Sequence, residues 1–230
     1  MLSFAIRTLI TSIGFTIGFS LFLPSNYFNF AQSNQANQGY VPPAKDREQQ
    51  EATSSGSRGC SSEPVVITPL IPTDRTPTTI SANPSFLFLV KENLNLPVYF
   101  SLVEPGIAEP LWKEELSVER AGVLSVAIPQ SISLDVGKNY VWNLKVVCNP
   151  NRPSQSWYVR AIVKRVSPST KLMQELTEAS SKLEQAAILA RNEIWYDAIY
   201  ISYYTREEPE ATSYFQQLLA QIGISLPKLN

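Results

Sequence analysis

Histidine is absent from the 230 residues of this sequence. Its absence excludes the triads and dyads in which histidine is the catalytic base, and it excludes histidine-ligated zinc and haem. The acid pairs Glu114-Glu115 and Glu207-Glu208 are adjacent in sequence. Adjacent side chains point to different sides of a strand or helix, so both pairs fit solvated charge better than acid–base catalysis. We therefore predict no catalytic, cofactor-binding or metal-binding residue, and a histidine-free hydrolase is only a third alternative for the function.

Cysteine is nearly as scarce, since the chain has only Cys60 and Cys148. When an exported protein has only two cysteines, they most often form a disulfide with each other. The alternatives are a redox pair or a two-thiolate metal site. The wide spacing and the lack of other soft ligands count against both alternatives. The prediction is a structural disulfide between the two cysteines.

An excess of basic charge is also missing. The chain carries 19 Lys and Arg against 20 Asp and Glu, for a formal net charge of −1. Nucleic-acid binding requires a clustered basic face, so this balance argues against a nucleic-acid partner. It gives no reason to expect binding to an anionic membrane surface either.

A long apolar run occurs at the N-terminus, where Arg7 precedes the stretch Leu9–Leu23. The stretch is shorter than the ~20 residues of a membrane-spanning helix, and Ala31 offers a small residue for a signal peptidase. We predict a signal peptide over residues 1–31 and a periplasmic or secreted protein. An uncleaved anchor is the alternative and is the only membrane contact expected.

The next segment, residues 32–59, is rich in Gln, Asn, Ser, Gly and Pro and has almost nothing to bury. Such composition predicts a disordered linker between the signal segment and the folded part.

Residues 60–166 contain short apolar runs separated by Pro, Gly and Asn. Within them Tyr140, Trp142 and Leu144 alternate with more polar neighbours, which is the period of a half-buried strand. Closely spaced strands of this kind predict an antiparallel β-sandwich domain. The predicted strands are Val65–Thr68, Ser85–Val90, Val98–Val103, Leu111–Val118, Gly122–Ile128, Tyr140–Val147 and Trp157–Val166.

The pattern Leu134-x-x-Gly137-x-x-Tyr140 precedes the sixth of these strands. It resembles the tyrosine corner of immunoglobulin and fibronectin type III sandwiches, in which the Tyr hydroxyl bonds to the backbone a few residues upstream. The fold class we predict is therefore mainly β with α: an immunoglobulin/fibronectin-III-like antiparallel sandwich followed by C-terminal helices.

Residues 167–226 change to the helical period, with apolar residues three and four apart. About three helices are expected, and their small-residue contacts resemble tetratricopeptide units. Such units do not stand alone in small numbers, so this helical tail should pack on the sandwich or on a partner. The expected helices run from a cap at Ser167-Pro168 to a break at Asn192, from Ile194 to about Tyr204, and from about Glu210 to Gln221.

Aromatic side chains give the candidate contact sites. One cluster on the second helix wraps more of the helix than one face can bury, and it is the candidate contact with a protein partner: Trp195, Tyr196, Tyr200 and Tyr203. A second candidate is the pair Trp157 and Tyr158, which follows a Pro- and Asn-rich loop and could stack on a glycan.

Taken in order, five motifs resemble an exported cyanobacterial family known as domain of unknown function 928. The family pattern has His-Pro in place of Asn83-Pro84 and Gly in place of Glu193, so the turn before the second helix should be less sharp here. The resemblance implies an envelope location, brings no activity, and favours the disulfide because both cysteines lie in the shared motifs. The motifs are Arg58-Gly59-Cys60, Thr78-Thr79 running to Asn83-Pro84-Ser85-Phe86, Val136-Gly137-Lys138-x-Tyr140-x-Trp142, Val147-Cys148-Asn149-Pro150 and Ile194-Trp195-Tyr196-Asp197-Ala198.

These observations predict a non-enzymatic envelope protein that serves as a protein-interaction or structural module with an unidentified envelope partner. The alternative is a glycan- or peptidoglycan-binding module. The fold alone does not choose between them.

Overall fold

A computed structural model describes Cys60 and residues 67–152 and 156–226. The predicted signal peptide and linker, residues 1–31 and 32–59, lie outside the described residues. The described part forms eight strands and four helices, so the prediction of a mainly β protein with added α structure is confirmed. Within that part, no helix is long and apolar enough to cross a membrane.

The strands form two sheets. One has three strands in the order β1-β3-β6, and the other has five in the order β2-β8-β7-β4-β5. All strand pairs are antiparallel except β2 with β8. The strands are β1 (Ile67–Pro69), β2 (Thr78–Thr79), β3 (Ser85–Val90), β4 (Val98–Val103), β5 (Trp112–Leu116), β6 (Gly122–Ala127), β7 (Asn139–Val147) and β8 (Ser156–Arg165).

The strand absent from the sequence prediction is β2. It consists of two threonines that pair in parallel with Lys164 and Arg165 of β8. Two residues are too few to show any period, so no pattern in the sequence marks them as a strand.

An aromatic cluster fills the centre of the core. Trp142 of β7 is fully buried, and its ring lies 5.3 Å from that of Phe88 and 5.9 Å from that of Phe86. Phe100 of β4 is also buried, with its ring 5.2 Å from that of Phe86. The two phenylalanines of β3 belong to the smaller sheet, so these rings join the two sheets across the core.

The hydrogen bond expected of a tyrosine corner is present. The Asp135 N–H donates to the hydroxyl oxygen of Tyr140 at 2.9 Å, and the Tyr140 ring is buried. Gly137 lies in the turn between them with φ of 83°, a backbone conformation that favours glycine. The hydroxyl therefore fixes the loop that enters β7.

The helical part has four helices where about three were predicted. They are α1 (Thr170–Glu178), α2 (Lys182–Arg191), α3 (Trp195–Tyr204) and α4 (Pro209–Gln221). The expected first helix is divided because Ser181 caps a new one, its hydroxyl accepting the Glu184 N–H at 3.1 Å. The Glu184 carboxylate accepts the Ser180 N–H in return, which resembles a capping box. The predicted cap at Ser167 is also corrected, since Ser169 accepts the Leu172 N–H.

The turn from α2 to α3 is as tight as one built on glycine. Glu193 has φ of 68°, and no other described non-glycine residue has a positive φ. The expectation of a less sharp turn is therefore wrong, because Glu193 itself adopts the left-handed conformation. The Thr78 hydroxyl donates to the Glu193 carbonyl at 2.8 Å and holds this turn against β2.

The helices share one core with the sheets. Helix α3 contacts β2 and β3, and Trp195, Tyr196, Ala198 and Ile199 of this helix are buried together with the strand residues. The Trp195 Nε1–H donates to the carbonyl of Leu70, in the segment that follows β1. The helical segment is thus packed on the sheets through α3.

Candidate functional site

Cys60 and Cys148 form a disulfide, as predicted, with their Cα atoms 5.1 Å apart. Cys148 directly follows β7, so the bond ties the first described residue to the end of a central strand. Both thiols are used in this bond.

Two residues of the predicted partner-contact cluster lie inside the protein. Trp195 and Tyr196 are buried. The Tyr196 hydroxyl accepts the Trp142 Nε1–H at 2.8 Å and donates to the Ile162 carbonyl at 3.2 Å. Both side chains serve to pack α3 on the sheets, so the expectation of a partner contact is corrected for these two residues.

The other two residues of that cluster remain at the surface. Tyr200 is half-buried, and its ring lies 4.5 Å from that of Tyr204. Tyr203 is also half-buried, with its ring 5.6 Å from that of Phe215. Its hydroxyl donates to the backbone carbonyl of Val123 in β6 at 3.2 Å. Tyr203 thereby connects α3 to a strand of the smaller sheet.

An open groove of about 1030 Å³ lies at this connection, between β6 and helices α3 and α4. Arg206 stacks on Tyr203 at its rim, with the guanidinium carbon 3.8 Å from the ring centre. The lining combines apolar side chains with a few polar ones. It includes Leu89, Val118, Val123, Leu124, Tyr203, Phe215 and Leu226, with Ser117, Glu119, Arg120, Arg206, Thr212 and Gln216.

Strand β6 is an edge strand, because β3 is its only partner in the described sheet. The Ile128 N–H donates to the Pro84 carbonyl, so these two residues form a hydrogen-bonded pair of the antiparallel ladder. Every second pair along the ladder, such as Phe86 with Val126, is then hydrogen-bonded as well. Since bonded and non-bonded pairs alternate, Val123, Ser125 and Ala127 direct their backbone N–H and C=O groups away from β3. The bond from Tyr203 to the Val123 carbonyl agrees with this assignment.

The other described edge strands differ from β6 in length or charge. Strand β5 carries Lys113, Glu114 and Glu115, and charges on an edge oppose pairing with another chain. Strands β1 and β2 have only three and two residues. Because β2 pairs only with Lys164 and Arg165, most of β8 is also an edge among the described strands, but β8 carries Arg160 and Lys164. Strand β6, with the sequence GVLSVA, has six residues and neither charge nor proline. It is the most receptive edge among the described strands.

The predicted glycan pair is divided between two faces of the sheet. Trp157 and Tyr158 are consecutive in β8, so their side chains point in opposite directions. Trp157 packs at the border of the core with Val159, whereas Tyr158 is on the outer face with 37% of its surface exposed. The expectation that the two form one stacking surface is therefore corrected.

Tyr158 has different companions on that outer face. In the strand register Tyr99 of β4, Lys145 of β7 and Tyr158 of β8 lie side by side. The adjacent row contains Ser101, Asn143 and Arg160 of the same three strands. All six belong to the outward-facing set, because their sequence neighbours Phe100, Leu144 and Val159 are buried in the core.

The acidic residues give no comparable cluster. Glu114 and Glu115 alternate along β5, and Glu207 and Glu208 precede α4. Across the described chain, no three His, Cys, Asp or Glu residues are grouped in a way that could hold a metal ion.

Asp197 is the one carboxyl among the described residues whose pKa is raised to near neutrality. Burial raises its pKa from 3.8 to about 6, although the Thr79 hydroxyl and the backbone N–H groups of Ile80 and Ser81 partly oppose the rise. The Ile80 N–H lies 3.2 Å from the carboxylate. These contacts place Asp197 at the junction of α3 with β2 rather than in the groove.

Sequence reasoning missed the edge of β6 and the companions of Tyr158. The uncharged sequence of β6 was a visible signal, but its position at an edge depends on the order of strands in the sheet. The alternation along each strand identifies Tyr99, Lys145 and Tyr158 as outward-facing. Only the register between strands places them side by side.

Comparisons with known proteins assign the chain to a family without an assigned activity. No curated protein matches it. The family model described as Domain of Unknown Function (DUF928) matches residues 53–228, which include all the strands and helices described above. The chain belongs to the family Domain of Unknown Function (DUF928).

Proposed function

We propose that this protein is an exported, non-enzymatic interaction module that binds an extended segment of a partner protein along β6. The observation that carries the proposal is the uncharged backbone edge of β6 beside the groove. An extended peptide can add to such an edge as a further strand, which gives main-chain hydrogen bonds. Its alternate side chains would enter the groove and provide the selectivity.

The groove favours a particular kind of segment. Its floor is apolar at Leu89, Val123 and Phe215, whereas its rim carries Glu119 and Arg206. Alternate side chains of an added strand lie on one face, so a segment with apolar residues at every second position fits the floor. The remaining side chains would face solvent or the charged rim.

The fold and compartment in this proposal are those of an immunoglobulin-like module outside the cytoplasm. Two sheets that enclose an aromatic core and the hydrogen bond from Asp135 to Tyr140 support the immunoglobulin-like assignment. The Cys60–Cys148 disulfide and the apolar run Leu9–Leu23 support export, since disulfides persist in oxidising compartments.

Replacing Ser125 with proline tests the proposal, because proline removes the N–H that this residue directs away from β3. Proline is tolerated on an edge strand where the N–H faces solvent, so the variant should fold. Ser125→Ala removes the hydroxyl and keeps the N–H, and it is the matched control. Displayed random peptides would be selected on the full-length chain, and enriched synthetic peptides measured by calorimetry.

We expect Ser125→Ala to bind the enriched peptides like the original protein, and Ser125→Pro to bind them about tenfold more weakly, the order of one lost hydrogen bond. N-methylation of alternate peptide amides should weaken binding similarly, and this arm does not depend on whether the proline variant folds. Equal affinity for methylated and unmethylated peptides, or selection that enriches no peptide, would contradict the proposal. Self-association of the chain through β6, seen by light scattering and lost in Ser125→Pro, would replace the partner with a second copy.

A further inference from the structure

The outer face of the five-stranded sheet, around Tyr99, Lys145 and Tyr158, is a second surface with a definite chemistry. Strands in a sheet are about 4.8 Å apart, so the two tyrosines, separated by β7, are roughly 10 Å apart across the sheet. Lys145 lies between them in the register. Two aromatic rings with a cation between them suit a ligand in which rings with flat faces and negatively charged groups both recur along its length.

We propose that this outer face binds an acidic polysaccharide, whose sugar rings stack on Tyr99 and Tyr158 and whose carboxylates pair with Lys145 and Arg160. Sugar rings present apolar C–H faces that pack on aromatic rings, and hydroxyl groups that bond to amides such as that of Asn143. This site is separate from β6 and does not depend on peptide binding there.

The charges of the face argue for an acidic ligand in particular. Its outward residues include Lys113, Lys145, Arg160 and Lys164, whereas the register places one acid among them, Glu115, directly beside Tyr99. The chain as a whole has a net charge of −1, so the positive charge is concentrated here. Among the described residues, Lys145 and Arg160 form no salt bridge, and their charges remain available to a ligand.

Lys113 adds to this arrangement. Its ammonium group lies 5.6 Å from the centre of the Tyr99 ring, which is within the range of a cation–π contact. Lys113 is exposed, so its side chain can leave the ring when a sugar stacks there and can pair with a further carboxylate. Among the described elements, the helices contact the sheets mainly at β2 and β3, and the Tyr196 hydroxyl reaches β7 at Trp142, on the face opposite Lys145.

The test uses the full-length chain and polygalacturonate as the acidic polysaccharide, with dextran as a neutral one and vesicles of anionic phospholipid as a third probe. The variants are Tyr158→Ala and Lys145→Gln. Both side chains point outward from the sheet, so neither change removes a core contact. The matched controls are Tyr204→Ala and Lys171→Gln, an exposed tyrosine and an exposed lysine on the helices.

In affinity electrophoresis, we expect polygalacturonate in the gel to retain the protein and dextran in the gel to leave its migration unchanged. Each face variant should weaken binding at least about tenfold, the equivalent of 1.4 kcal/mol, and each control should leave it unchanged. Binding should also weaken as salt is raised, because the charges are exposed. Three results would overturn the proposal. They are no retention of the protein by polygalacturonate, equal retention of the protein by dextran, or loss of polygalacturonate binding in Lys145→Gln without loss of binding in Tyr158→Ala. The last result together with vesicle binding would assign the face to anionic lipid.

Discussion

Single residues in this protein take roles that their neighbours in space impose. Glu193 occupies a left-handed turn that glycine would enter at lower cost, and the bond from Thr78 to its carbonyl holds the turn in place. Asp197, in the first turn of α3, accepts the Ile80 N–H at the end of β2. Neither role is visible in the type of residue alone.

The raised pKa of Asp197 predicts a pH dependence of stability. The Asp197 carboxyl has a pKa of about 6 in the folded protein and 3.8 in the unfolded chain. The folded protein is therefore more stable when this carboxyl is protonated than when it is ionised. The stabilisation is therefore complete below about pH 4 and is lost as the pH rises through 6. From pH 4 to pH 7 this group should lower the free energy of unfolding by roughly 2 to 3 kcal/mol.

Urea unfolding at a series of pH values measures this effect. Asp197→Asn should flatten the slope between pH 4 and pH 7, because the amide does not ionise. Glu92→Gln changes an exposed carboxyl and should leave the slope as it is. A slope that persists in Asp197→Asn would show that other groups cause it.

At the scale of elements, α3 is the helix that joins the helical segment to the sheets. Its N-terminal side chains enter the core, while its C-terminal Tyr203 reaches β6. The aromatic excess of this helix indicated contacts on more than one side. The structure assigns the buried contacts to the protein's own strands and leaves Tyr204 exposed.

Tyr196→Phe should lower the free energy of unfolding by about 1 to 3 kcal/mol, the cost of leaving buried polar groups without partners. The change removes the acceptor of the Trp142 Nε1–H and the donor to the Ile162 carbonyl. Denaturant unfolding compares it with Tyr204→Phe, which alters a tyrosine with 54% of its surface exposed and should have little effect. Equal losses in the two variants would argue against a stabilising role for the Tyr196 hydroxyl.

For the whole molecule, the boundary between strands and helices at residue 166 is a change of secondary structure within one core. Trp142, Phe86 and Tyr196 come from both sides of that boundary, and the Tyr196 ring lies 5.2 Å from that of Phe86. The disulfide acts at the same scale, because it joins residues 88 positions apart.

The double variant Cys60→Ser, Cys148→Ser should be less stable by about 3 to 4 kcal/mol, chiefly because the unfolded chain gains freedom when a long loop is opened. Denaturant unfolding of the variant, and of the original protein with and without reductant, measures the loss. The reduced original protein should match the variant. Free thiols at both positions in unreduced, denatured protein would contradict the disulfide itself.

Much of the local structure follows from the sequence. The continuous apolar run Ser85–Val90 and the alternation in Val98–Val103 gave both strands with the same bounds as in the structure, because each has turn residues on either side. The break at Asn192 and the start of the last helix, expected at about Glu210 and observed at Pro209, also agree with the structure. The first helix was predicted as one because its apolar spacing continues across Ser180 and Ser181, and the capping bonds that divide it lie within its polar residues.

By itself the sequence determined every described strand except β2, the later helices, the cysteine pair and the tyrosine that fixes the loop before β7. The strands, the helices and the tyrosine depend on residues close together in the chain. The cysteine pair follows because the sequence has only two cysteines. The tertiary structure decided that Trp195 and Tyr196 are core, that β6 is an edge among the described strands, and that Tyr99 lies beside Lys145 and Tyr158. These facts depend on strand order, register and helix docking, which arise from contacts between distant segments and leave no period in the sequence.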